Sequence, residues 1–218
     1  MRYKLVIFDY DGTLADTRGP IVAAKQETML ALGLPVLDEE ACASTIGLTA
    51  EMAFRETYPD LPDETIRKCV DLYRTNFAKL METAVPPLFP GVTDVLKRIA
   101  ASGMTLSIAS SRQDRMLIEL LKKQDLYRFF PYILGGNDTP RLKPHPDAVI
   151  RTVTDLHVRP EEALVVGDMP YDILMGSRAG AATCGVTYGN ASREKLLEAG
   201  ADHIIDRIGL LKEILGIS

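Results

Sequence analysis

KLVIFDYDGT, at residues 4–13, is the stretch that decides the architecture. Its first half, residues 4–8, is an apolar run that ends at acidic and glycine residues. Apolar residues at consecutive rather than alternate positions are typical of a parallel strand that is covered on both faces. Asp9 and Asp11 stand directly after this run. The segment therefore predicts a buried parallel strand whose carboxyl end is acidic.

Short apolar runs of the same kind recur along the rest of the chain. They lie at residues 105–110, 132–134, 163–166 and 183–186, with a short edge strand at 203–205. Helical patterns separate them, at residues 92–101, 113–124 and 148–156. Strands that alternate with helices imply right-handed crossovers. The prediction is an α/β fold with a doubly wound parallel sheet and a Rossmann-like core.

Residues 17–86 interrupt this alternation. They contain helical patterns and no convincing strand, and the longest pattern, residues 64–80, carries an apolar stripe at three- and four-residue steps. Such a stripe is typical of the core of a helix bundle rather than of a binding surface. We predict a helical cap domain at residues 17–86, inserted into an α/β catalytic core formed by residues 1–16 and 87–218.

Composition and charge exclude several classes of function. The formal net charge of -5 argues against a nucleic-acid partner, because phosphate backbones are bound by basic surfaces. A small anionic substrate stays compatible with this charge, since a local cationic pocket can exist within an acidic protein. No apolar run is long enough to cross a bilayer. The three cysteines show no metal-ligand spacing, which together with the other features predicts a cytoplasmic globular protein.

Polar residues follow four of the predicted strands. Ligands of open parallel sheets bind beyond the carboxyl ends of the strands, so these residues should meet at one edge. In chain order they are Asp9 and Asp11, Ser110 with Ser111, Lys143, and Asp168 with Asp172. Two carboxylates, a hydroxyl, a lysine and a further acidic pair are a set that phosphoryl transfer can use.

Asp9 and Asp11 have distinct chemical uses. A carboxylate can attack phosphorus as a nucleophile and form an aspartyl-phosphate, while its neighbour protonates the leaving oxygen and later activates water. Gly12 permits a tight turn whose successive N–H groups would form an anion nest. An Asp-Gly turn without catalytic function is the alternative for this motif taken alone. A calcium loop fits poorly, because Pro20 stands where such a loop needs a glutamate.

The other strand-end residues also have two interpretations each. Lys143 would neutralise a substrate phosphate, or would be a surface lysine before a proline turn. Ser110 would donate to a phosphate oxygen, or would satisfy local backbone groups. Asp168 and Asp172 would bind a hard cation beside Asp9, or would belong to a turn and a helix start.

Four motifs together resemble those of the haloacid dehalogenase-like superfamily. They read DYDGTLADT at residues 9–17, SIASS at 107–111, RLKPHPD at 141–147 and VVGDMPYDILMGSRAGAATCGV at 165–186. The helical insertion directly after the first motif is similar to the cap of the branch that includes phosphoglycolate phosphatases, pyrophosphatases and β-phosphoglucomutases. The resemblance covers nearly the whole chain.

The resemblance also implies roles for individual residues. Asp9 would be the nucleophile, Asp11 the acid/base, and Ser110 and Lys143 the phosphate ligands. Mg²⁺ would be held by the Asp9 side chain, the Asp11 main-chain carbonyl and Asp168, with Asp172 bound directly or through water. The remaining predicted substrate contacts are Gly12, Thr13, Ser111 and, in the cap loop, Thr49.

The motifs favour one branch of the family. Dehalogenases and phosphonoacetaldehyde hydrolases lack an acid at the position of Asp11, so phosphate-ester chemistry is favoured. We predict a Mg²⁺-dependent phosphatase of small phosphorylated metabolites, similar to phosphoglycolate phosphatase, that is a monomer or homodimer. A pyrophosphatase or a β-phosphoglucomutase-like mutase is the alternative, although the loop around Gly47 lacks the basic residue that a mutase needs. A non-catalytic binding protein would have lost a motif acid, and none is lost.

Overall fold

A six-stranded parallel sheet forms the centre of the computed structural model, which describes residues 2–83 and 85–217. The strands are β1 (Leu5–Phe8), β2 (Thr105–Ala109), β3 (Tyr132–Leu134), β4 (Ala163–Gly167), β5 (Ala182–Val186) and β6 (His203–Ile205). Their order is β3-β2-β1-β4-β5-β6, which is that of a doubly wound sheet. The predicted fold class is confirmed, and each predicted strand is present with its ends shifted by at most one residue.

Helices cover both faces of this sheet. Those outside the insertion are α5 (Val92–Ala101), α6 (Asp114–Lys123), α7 (Asp147–Asp155), α8 (Pro170–Arg178), α9 (Arg193–Glu198) and α10 (Leu211–Leu215). Alternate residues of β1 serve opposite faces. Val6 and Phe8 belong to one apolar cluster, which includes residues of α5 and α6, whereas Leu5 and Ile7 pack in another that includes Val149 of α7. Burial on both faces explains why the run in β1 is apolar at every position.

The order of the strands reverses around β1. Val6 pairs with Leu106 of β2 on one side and with Leu164 of β4 on the other. The next two strands of the chain lie on one side of β1, and the last three lie on the other side. The crevice beyond the carboxyl ends of β1 and β4 is therefore the topological switch point, where ligands of such sheets bind.

Residues 17–83 hold four helices and no strand. They are α1 (Arg18–Ala31), α2 (Glu39–Ala43), α3 (Ala50–Thr57) and α4 (Asp63–Thr83). In the stripe of α4, Ile66, Cys69, Val70 and Phe77 are buried in an apolar core, as predicted. The two connections run side by side, because the N–H of Asp16 donates to the carbonyl of Pro87.

None of the helices in the described part of the chain combines the length and apolar character needed to cross a membrane.

Candidate active site

Three buried aspartates meet at the switch point. Asp9 follows β1, Asp168 follows β4, and Asp172 lies in the first turn of α8. One carboxylate oxygen from each lies within 4.8 Å of the others, and none of the three side chains is appreciably exposed. Lys143 reaches the same point from the loop between β3 and α7. The acids that the sequence placed at separate strand ends thus form one cluster.

A tight turn after β1 makes room for this cluster. The N–H groups of Leu14 and Ala15 both donate to the carbonyl of Tyr10. Gly12 has a φ of +82°, and a Cβ at this position would lie 2.2 Å from a carboxylate oxygen of Asp168. Only glycine therefore allows the carboxylate from β4 to approach the turn. The N–H of Gly12 is engaged inside the turn by the carbonyl of Ala15, so it does not contribute to the predicted anion nest.

Lys143 bridges two members of the cluster. Its Nζ lies 2.6 Å from Oδ1 of Asp9 and 2.6 Å from Oδ1 of Asp172, with all three side chains buried. Burial alone would lower the pKa of Lys143, but the carboxylates of Asp172 and Asp9 outweigh it and raise that pKa. Three carboxylates against one ammonium leave an excess of negative charge when all are ionised. This excess is the electrostatic condition for binding a cation.

The two carboxylate oxygens of Asp9 differ in their contacts. Its Oδ2 is buried and has no hydrogen-bond partner within the described residues. Burial raises the pKa of Asp9 well above its ordinary value, since the attraction of Lys143 does not compensate. Burial and the neighbouring Asp172 likewise raise the pKa of Asp168 to about 7. Carboxylate oxygens are hard ligands of the kind that Mg²⁺ prefers, so the cluster fits this ion.

Asn190 orients Asp168, and sequence reasoning missed it. Its backbone N–H and its side-chain Nδ2 each donate to Oδ2 of Asp168 at 2.8 Å. Thr13, predicted to contact substrate, donates to the other oxygen of Asp168 at 3.2 Å. Asn190 lies in the loop after β5, and this place at a fifth strand end is the signal that the sequence carries for it.

Arg112 is a second missed residue, and it holds Asp11. Its Nη2 and Nε donate to the two oxygens of Asp11 at 2.6 Å and 3.1 Å, a bidentate pair whose side chains are largely buried. The guanidinium also lies 4.3 Å from the centre of the Phe77 ring in α4. Ser110 accepts a hydrogen bond from the backbone N–H of Arg112 at 3.2 Å. Arg112 lies two residues beyond Ser110, at a strand end where only hydroxyls were considered.

The loop between α2 and α3 touches the sheet edge. Ser111 donates through Oγ to the carbonyl of Gly47 at 2.6 Å, which joins the insertion to the end of β2. The Thr49 side chain instead accepts a hydrogen bond from the backbone of α3 and caps that helix. Its neighbours Leu48 and Ala50 line the cavity described below, whereas Thr49 does not. A substrate contact at Thr49 stays a prediction.

A cavity of about 90 Å³ separates the insertion from the strand ends. Asp9 and Asp11 line it from the sheet side, and Lys25, Tyr73 and Phe77 line it from the insertion. The apolar stripe of α4 therefore packs in the core of the insertion and also forms part of the cavity wall. The helical periodicity of the stripe did not indicate this second role. The cavity can hold a small molecule with Asp9 at one end and helices at the other.

Comparison with known proteins identifies relatives along nearly the whole chain. A sequence profile of haloacid dehalogenase-like hydrolases matches residues 6–186. "Probable phosphatase IndB" of Dickeya dadantii is 34% identical, covering 93% of this chain and 89% of the relative. A phosphoglycolate phosphatase of Salmonella typhimurium is 30% identical, over 97% of this chain and 92% of the relative. The crystal structure of a predicted phosphatase from Clostridium acetobutylicum superposes with a TM-score of 0.89 at 27% identity, covering 99% of this chain and all of that one.

Proposed function

This chain belongs to the haloacid dehalogenase-like hydrolase family and is an enzyme of the phosphatase type, and from this premise we propose that it is a Mg²⁺-dependent phosphatase of small phosphorylated metabolites. The observation that carries the proposal is Oδ2 of Asp9, which has no hydrogen-bond partner among the described residues and is buried beside Lys143 and two further acids. A carboxylate oxygen in this position supports a nucleophilic role for Asp9 towards a phosphate.

The proposed reaction has two displacements. A carboxylate oxygen of Asp9 forms a bond to phosphorus, the ester P–O bond breaks, and Asp11 gives a proton to the leaving oxygen. Water then attacks the aspartyl-phosphate, passes a proton to Asp11, and releases inorganic phosphate and the Asp9 carboxylate. Lys143 stabilises the charge on the transferring group, and Ser110 donates a hydrogen bond to it.

Arg112 adds a step to this scheme. The guanidinium engages both oxygens of Asp11, so the pair has to open before Asp11 can carry a proton to the leaving group. Contact between Arg112 and Phe77 of α4 links this opening to the position of the insertion. We expect substrate binding to separate Arg112 from Asp11.

Mg²⁺ would be held by the side chains of Asp9 and Asp168 and by the main-chain carbonyl of Asp11, with Asp172 adjoining. When bound, it supplies positive charge beside the transferring phosphate. Asn190 and Thr13 keep Asp168 oriented for this role.

The insertion would act as a cap over the catalytic core. Residues 17–86 would close over the catalytic core formed by residues 1–16 and 87–218, with the paired connections at Asp16 and Pro87 as the hinge. Closure excludes bulk water from the phosphoenzyme and selects the leaving group by its fit to the cavity. The substrate would be a small metabolite of the phosphoglycolate type, handled in the cytoplasm by a monomer or homodimer.

Removal of divalent metal should abolish hydrolysis of p-nitrophenyl phosphate, and added Mg²⁺ should restore it. Mg²⁺ should also stabilise the protein directly, by about 2.7 kcal/mol when its concentration is 100-fold above the dissociation constant. Thermal unfolding with and without Mg²⁺ measures this, and Asp168→Asn should reduce the stabilisation. Full activity in metal-free buffer, with no change in melting temperature on adding Mg²⁺, would reject the metal site.

Phosphate release should distinguish a phosphatase from a mutase. The loop at Gly47 lacks the basic residue that a mutase needs, but Lys25 and Arg74 of the insertion line the cavity and would supply basic groups, so the mutase stays an alternative. With the best substrate we expect one inorganic phosphate per molecule consumed and no isomerised sugar phosphate, measured by a phosphate assay and by NMR. Conversion of a hexose 1-phosphate to its 6-phosphate, primed by a bisphosphate, would favour the mutase while keeping Asp9 as nucleophile.

A further inference from the structure

Lys25 is a buried cation whose direct hydrogen-bond partners among the described residues carry no charge. It lies in α1, is 5% exposed, and its Nζ donates to the carbonyl of Cys42 at 2.7 Å and to Oγ1 of Thr45 at 2.6 Å. Both partners are neutral, and no carboxylate within the described residues comes within 4.0 Å of Nζ. An ammonium has three protons to donate, so one is left for a further acceptor.

The other two buried cations of the site are compensated. Lys143 pairs with Asp9 and Asp172, and Arg112 pairs with Asp11. Burying a charge without a contacting counter-ion is costly. Burial accordingly lowers the pKa of Lys25 to about 8, and the attraction of Cys42 and of the exposed Glu56 does not cancel this effect. The two hydrogen bonds join α1 to the end of α2, which accounts for part of the role of Lys25. They do not account for its position on the wall of the cavity that Asp9 also lines.

We propose that Lys25 binds a second anionic group of the substrate, a carboxylate, while Asp9 attacks the phosphate. This inference rests on the proposed function and narrows it to phosphate esters of small hydroxy acids. A carboxylate would supply both the missing acceptor and the missing negative charge. The small cavity and the single available proton of Lys25 favour a carboxylate. A second phosphate needs more donors, and Arg74, the other cation of the insertion on the cavity wall, is exposed to solvent.

The test compares two esters that differ only in this group. In 2-phosphoglycolate a carboxylate stands where ethyl phosphate has a methyl group. Lys25→Met should reduce the ratio of kcat/KM for phosphoglycolate to that for ethyl phosphate by about 10- to 100-fold, the effect of one lost charge-assisted hydrogen bond. The loss should lie mainly in KM, because the carboxylate does not react. Lys25→Arg should retain more of the ratio than Lys25→Met.

Lys68→Met is the matched control. Lys68 is exposed on α4 and paired with Glu64, so this change should leave the ratio and the activity as they are. An unchanged ratio in folded Lys25→Met would overturn the role of Lys25 while leaving the phosphatase proposal intact. Preference for a bisphosphate over phosphoglycolate would also overturn it.

A measurement on the unaltered enzyme covers the case in which Lys25→Met does not fold. Carboxylate-bearing 3-phosphonopropionate should inhibit p-nitrophenyl phosphate hydrolysis at least about 10-fold more strongly than propylphosphonate. Equal inhibition would contradict the carboxylate site. If the enzyme with Mg²⁺ hydrolysed no phosphate ester, the proposed function itself would fail. A direct comparison of the binding of the two phosphonates would still test whether Lys25 binds a carboxylate.

Discussion

Asp9→Asn should lower phosphatase activity by about 10⁴-fold or more, because the amide cannot replace the carboxylate as nucleophile. The change is nearly isosteric, and Lys143 keeps its second partner, Asp172. The variant also loses one charge from a buried cluster that holds excess negative charge. We therefore expect the fold to survive without a large loss of stability.

Two measurements check this expectation together. Acid quenching during turnover should trap a phosphorylated aspartate in the unaltered enzyme and none in Asp9→Asn, while circular dichroism should show the same helix content in both. Asp71→Asn, at an exposed position on α4, is the matched control and should be fully active. If Asp9→Asn turned over normally, the nucleophile would have to be another residue.

Lys143→Met should cost the protein both activity and stability. The substitution leaves Asp9 and Asp172 without their shared counter-ion at positions that are 3% and 0% exposed. Removing one partner of a buried ionic pair typically costs about 3–5 kcal/mol. Urea denaturation should show a loss of this size, against little change for Lys97→Met on the surface of α5. A loss below about 1 kcal/mol would mean that Lys143 is not the electrostatic centre of the site.

The instability of Lys143→Met should depend on pH in a defined direction. Burial already raises the folded-state pKa of Asp9 above its unfolded value of about 3.9. For such an acid, ionisation weighs against the folded state as pH rises above the unfolded value, and this penalty is absent at lower pH. Denaturation at pH 5 and pH 8 should therefore reveal a larger deficit at pH 8. A deficit that is larger at pH 5 would contradict the assigned cause.

The local signals in the sequence determined the architecture and the position of the acidic cluster. Continuous apolar runs mark strands that are buried on both faces, and their alternation with helices limits the sheet to a parallel, doubly wound form. Carboxyl ends of parallel strands share one edge, so Asp9, Asp168 and Lys143 could be expected together although they are far apart in the chain. These inferences need only spacing and residue type.

Tertiary packing alone decided the partners of those residues. Nothing local distinguishes Arg112 from a surface arginine, and its pairing with Asp11 arises because the ends of β1 and β2 are neighbours. Lys25 resembles any lysine on a helix until α1 packs against the end of α2 and buries it. Burial and charge compensation depend on which surfaces pack against each other. The periodicity of a helix or strand shows which of its own faces is apolar, but it carries no information about the surface that packs against that face. The position of Asp9 at the switch point was therefore readable from the sequence, whereas the residues proposed to select a substrate became visible only in the folded chain.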